Sequence, residues 1–123
     1  MSDSQKNQDK YEELLNELSK SRNELTSMIS DVDKCKDTVL GVAANTTDYR
    51  NRYSKEDRLK TITSFYSTLL ALRQEYNRNI ISEIELRRKL EKGDDGEINL
   101  DIAKIAKQME ILQKKKESVI SKV

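Results

Sequence analysis

The chain contains no proline, no histidine and no tryptophan, and only one cysteine, one phenylalanine and three glycines. Each shortage closes off a class of structure or chemistry. Without proline nothing forces a break in a helix. Without histidine, general acid–base catalysis and the Ser-His and Cys-His nucleophile pairs lose their usual partner. Zinc sites and histidine phosphotransfer are disfavoured on the same ground. Glycines at 41, 93 and 96 alone are too scattered to build a phosphate-cradling loop. Cys35 has no partner for an internal disulfide and so gives no sign of an oxidising compartment.

Apolar material is also scarce. The chain is 35% hydrophobic, against roughly 45–50% for an ordinary domain. Its densest apolar stretch, "SFYSTLLALR" at 64–73, falls far short of the roughly 18 residues that a spanning helix needs. The opening "MSDSQKNQDK" has no apolar segment of the kind a secretory signal requires. The expectation is a soluble intracellular protein of the cytoplasm or nucleus, not inserted in a membrane and not an enzyme. No metal, cofactor or small-molecule substrate is expected.

What the chain does have is charge, at 37% of residues, nearly balanced between 23 basic and 22 acidic. The balance gives no global field toward nucleic acid. Arg87-Arg88-Lys89 and Lys114-Lys115-Lys116 lack adjacent stacking aromatics and read as solvated helix faces. The signs are segregated. Residues 1–48 carry a net −4 and residues 49–92 a net +5, which suits two helices lying side by side as a hairpin. The acidic turn at 93–97 fails as a calcium loop. With Gly96 at its sixth position, glycine and isoleucine occupy ligand positions.

Periodicity supplies the fold. Tyr11, Leu14, Leu18, Ser21, Leu25, Met28, Val32, Cys35, Val39 and Val42 alternate in steps of three and four, which places them on one helical seam with coiled-coil spacing. Leu15 and Ile29 widen the stripe, hinting at more than two helices around it. Gly41 and the run Asn45-Thr46-Thr47 predict that this first helix kinks, frays or ends between 41 and 48. Ser54, with Asp57 three residues later, predicts the start of a second helix. Lys and Arg crowd the end of that helix, before Gly93. Its apolar positions do not fit a strict heptad, since Leu72, Tyr76, Ile80 and Ile84 step by four. Asn99 offers a cap for a third helix with the seam Ile98, Ile102, Ile105, Met109, Leu112, Lys116, Val119 and Val123, interrupted only by the lysine.

The sequence therefore predicts an all-α fold. It is an elongated helical hairpin or three-helix bundle with coiled-coil seams, completed by oligomerisation. A flexible N-terminus, 1–8, precedes one helical domain, 9–123, with helices at about 9–45, 55–92 and 99–121. The function expected is that of a non-enzymatic subunit or adaptor that assembles with other helical chains, or with itself. A tethering module in membrane traffic and a small nucleic-acid packaging subunit are the alternatives. Phe65, Tyr66, Leu69, Leu70 and Tyr76 are the expected partner-binding residues. The short link to the third helix suggests that it covers Ile80, Ile81 and Ile84, leaving Tyr66 and Leu70 open.

Overall fold

The computed structural model describes residues 3–45, 55–92 and 102–121, with side chains at 9–39, 56–92 and 102–121. All of these residues are helical: α1 is Asp3–Asn45, α2 is Lys55–Lys92 and α3 is Ile102–Ser121. They are bundled, and among the described residues there is no strand.

α1 begins at Asp3, ahead of the start expected near residue 9, because nothing in the polar opening segment breaks a helix. It passes through Gly41 and ends at Asn45; one glycine costs a helix about 1 kcal/mol, too little to stop a long one. α2 opens with Glu56 and Asp57 and closes with Lys89 and Lys92, each matching the end of the helix dipole it faces. α3 begins at Ile102, slightly later than expected. The proposed caps Ser54 and Asn99, the turn at 93–97 and the stretch 46–53 lie outside the described residues.

The α1 seam is buried as its spacing predicts. Tyr11, Leu14, Leu18, Ser21, Leu25, Met28, Val32 and Val39 are enclosed, and Cys35 is half-buried against the same core. On α3, Met109, Leu112 and Val119 are buried, with Ile102 and Ile105 half-buried. Fully enclosed side chains such as Leu25, Val32, Phe65 and Leu72 each contribute roughly 1.5–3 kcal/mol through burial.

α1 and α2 run antiparallel. Tyr11, Leu14 and Leu18 cluster with Leu86 near the end of α2, whereas Val32 and Val39 share a cluster with Phe65 and Leu69 near its start. α3 runs alongside α1. Its Ile102 and Ile105 pack on the first cluster, and Leu112 and Val119 belong to the second.

α3 occupies one groove of the hairpin. Thr68 and Ser82 of α2 face it, lining spaces shared with Val119 and with Ile105 and Met109 respectively. Thr68 is buried, but its hydroxyl is satisfied by donating to the Ser64 carbonyl at 2.8 Å. The seam lysine is explained by its partner: Lys116 Nζ donates to Asp31 Oδ2 of α1 at 2.8 Å. Its stem stays against the bundle while its charge is met at the edge.

Two expectations are corrected. α2 does carry a strict heptad, the row Ile62, Phe65, Leu69, Leu72, Tyr76, Asn79, Glu83, Leu86 and Leu90. Polar Asn79 and Glu83 hide it from a search for apolar spacing. Nor does α3 cover Ile81 and Ile84, which are 54% and 45% exposed. Chain proximity suggested that location, but α3 settles in the groove where its seam meets those of α1 and α2.

Candidate protein-docking face

One residue after each member of the buried α2 row comes a second row with the same alternating steps: Thr63, Tyr66, Leu70, Arg73, Asn77, Ile80, Ile84, Arg87 and Glu91, which the same spacing carries back to Leu59 and Glu56. One residue is about 100° of rotation on a helix. This second row therefore runs beside the core along the whole of α2, on the flank away from the α3-facing Thr68 and Ser82. The apolar members stand out of the bundle: Leu59 is 62% exposed, Tyr66 53% and Leu70 59%. Ile80 is half-buried. Adjacent in sequence to Tyr66 and Leu70, Phe65 is 0% and Leu69 1% exposed.

That contrast sorts the five residues expected to bind a partner. Phe65 and Leu69 are internal core, because a helix buries one face and their row is the face that meets α1 and α3. Tyr76 is half-buried and packs against the same core. Tyr66 and Leu70 are the two on the open surface. Leu59, Ile80 and Ile84 join them through spacing alone, a signal readable from sequence once the second row is separated from the first. The seam residues Leu14, Leu18, Leu25, Met28, Val32, Ile102, Ile105, Met109 and Leu112 all face the interior.

The charges around this face are of both signs, with Glu56 and Glu91 at the ends of the row and Arg73 and Arg87 within it. Lys36 Nζ of α1 lies 5.4 Å from the centre of the Tyr66 ring, within cation–π range. Its ammonium donates to Asp33 Oδ1 at 2.7 Å. That hydrogen bond holds the Asp33 carboxyl below its ordinary pKa and raises that of Lys36. Arg73 is exposed in the middle of the row, and its charge adds to that of Lys36 in holding the Asp33 carboxyl low. Arg87 reaches Glu83 at 3.5 Å.

A second constellation lies inside the bundle. Arg22 of α1 donates through Nε to Asn79 Oδ1 at 3.1 Å and through its terminal nitrogen to Glu83 Oε2 at 2.8 Å. Asn79 Nδ2 donates to the Leu18 carbonyl at 2.8 Å. The Arg22 hydrogen bond holds the Glu83 carboxyl below its ordinary pKa, against the opposing effect of burial. With buried Ser21 this layer separates the two apolar clusters. It borders a cavity of about 180 Å³ whose polar lining includes Ser21, Glu75, Asn79 and Ser82. Each strong acceptor here has a cationic neighbour, including Glu75, 2.9 Å from Arg78. The layer reads as a register device, in the way a polar residue at one seam position fixes helix pairing.

Among the described residues, no group of three or more His, Cys, Asp or Glu side chains gathers as a metal site. No described helix is long and apolar enough to cross a membrane. No family model matches the chain, and no curated protein or solved structure matches it significantly.

Proposed function

We propose that this protein is a non-enzymatic, intracellular helical subunit that joins a larger assembly through the outer face of α2. Its heptad rows fit a coiled-coil role in that assembly. The observation that carries this reading is the exposure of Tyr66 and Leu70 in a continuous heptad row. Contiguous exposed apolar surface on a folded chain marks an interface more often than it marks nothing. Aromatic anchors such as Tyr66 tend to carry binding energy in such interfaces. The row is helical and regular, so it suits another helix better than it suits an irregular loop.

The test is Leu70→Asp, with Ile111→Asp as control. Ile111 is 50% exposed, but on α3. Native mass measurement of the complex purified from its source should show association lost in the first variant and kept in the second. Circular dichroism of each purified variant should stay helical, because neither side chain is core. Unchanged association in Leu70→Asp would sink the proposal. So would unfolding of that variant on its own, which would make the row internal core.

A further inference from the structure

We infer that α3 is a latch: it opens as a unit from an α1–α2 hairpin that stays folded, uncovering a groove that a partner helix with α3's spacing can fill. α3 is the lightest member of the bundle, with 20 residues against 43 in α1 and 38 in α2. Its buried side chains are Met109, Leu112 and Val119. On the α1 side they meet an apolar seam, sharing a cluster with Leu25, Met28 and Val32. On the α2 side the seat is polar and loosely filled. A groove of about 300 Å³ opens there between Lys115, Ser118 and Val119 of α3 and the hydroxyl-bearing Thr63, Ser64, Ser67 and Thr68 of α2. The cavity of about 180 Å³ beside the polar layer is lined from α3 by Ile105 and Met109 and from α2 by Glu75, Arg78, Asn79 and Ser82. Close-packed interiors hold few voids larger than a water molecule, and atoms lining a void lose their dispersion partners on that side.

The polar ties point the same way. Arg22 of α1 reaches Asn79 and Glu83 of α2, and Asn79 reaches back to the Leu18 carbonyl. These bonds, with the cluster of Tyr11, Leu14, Leu18 and Leu86, join α1 directly to α2. α3 is tied to α1 through Lys116 and Asp31, at an edge where the Asp31 side chain is 46% exposed; an ion pair so placed adds little. Once off the hairpin, a helix of 20 residues has no packing to sustain it and is marginal in water. α3 therefore unwinds as it leaves, in an opening short of global unfolding. The seat it vacates holds Leu25, Met28 and Val32. Such a row receives an incoming helix through apolar positions spaced like Ile105, Met109, Leu112 and Val119.

The test is hydrogen exchange on the full-length protein, resolved along the sequence. Amides of α3 should exchange together, at least about a hundredfold less protected than those at 14–25 in α1 and 69–86 in α2. Leu112→Asp, which places a carboxylate in the apolar seat, should erase protection in α3 while α1 and α2 stay helical and protected. A labelled peptide of residues 102–121 should then bind that variant at least about tenfold more tightly than it binds the unaltered protein, whose own α3 competes. Leu70→Asp, which disables the outer α2 face, should leave α3 exchange as it was, so the two readings fail separately. Equal protection in all three helices would overturn the latch. So would loss of α1 and α2 structure in Leu112→Asp, which would make α3 integral to one cooperative core. Peptide binding to neither protein, or equally to both, would overturn the vacated groove as a docking site.

Discussion

At the scale of single residues, the polar side chains on the seams are the informative ones. Lys116 interrupts an apolar row and is met by Asp31 on the edge of α1. This contact lowers the Asp31 pKa, mainly through the hydrogen bond from Lys116. Glu83 is likewise held low by Arg22. A carboxylate whose pKa is depressed on folding contributes stability that is present above its unfolded value. That contribution is lost as pH falls through the folded value. Stability should therefore drop as pH falls below about 4.5, the ordinary value for Glu83. Glu83→Gln and Asp31→Asn should each flatten that slope in denaturant titrations run across the acid range. Lys116→Leu should go further. It extends the α3 apolar seam and releases Asp31, itself largely exposed, to solvent. A gain of roughly 1 kcal/mol near neutral pH is expected from the added burial. A loss of stability would mean that the ion pair outweighs it.

At the scale of elements, α1 and α3 were legible in the sequence and α2 was only half so. Nine of the ten seam positions on α1 from Tyr11 to Val42 are apolar, and no competing row exists beside them. On α2, Asn79 and Glu83 remove two apolar marks from the true seam. Leu59, Tyr66, Leu70, Ile80 and Ile84 add five to its neighbour. Hydrophobicity alone cannot separate two rows that lie 100° apart. The placement of α3 was illegible for a different reason: it depends on which groove of a finished hairpin has room, and connection length does not encode that. One α1–α2 ion pair runs from Arg22 on the acidic segment to Glu83 on the basic one, in the same layer as Asn79, a polar position on the seam of the kind that can fix helix register. Asn79→Leu should accordingly raise the melting temperature, because an apolar residue replaces a polar seam position. It should also remove a penalty on helix misregistration. The check is disulfide trapping between single cysteines, in a Cys35→Ser background, placed on α1 and α2 one heptad out of register. Trapping should rise in Asn79→Leu; no rise would leave Asn79 without a specificity role.

At the scale of the whole molecule, the helix lengths set the shape and leave one flank bare. α2, with 38 residues, is about 57 Å long, and the 43-residue α1 about 64 Å. Three helices at interaxial distances of about 8–10 Å give a rod roughly 20 Å across. Such a rod has a radius of gyration of about 19 Å, against about 14 Å for a compact domain of this chain length. The rod shape is what keeps the α2 row on the surface. A compact globule would fold another segment over it, and Tyr66 and Leu70 would become core. Small-angle scattering of the isolated chain, with mass from forward scattering over a concentration series, should give about 19 Å at a mass of 14.3 kDa. A second copy laid against α2 would double the mass while changing the rod's length little, so mass and radius separate the two cases. A radius near 14 Å at monomer mass would mean the outer row is covered by the chain itself, and the docking face would not exist.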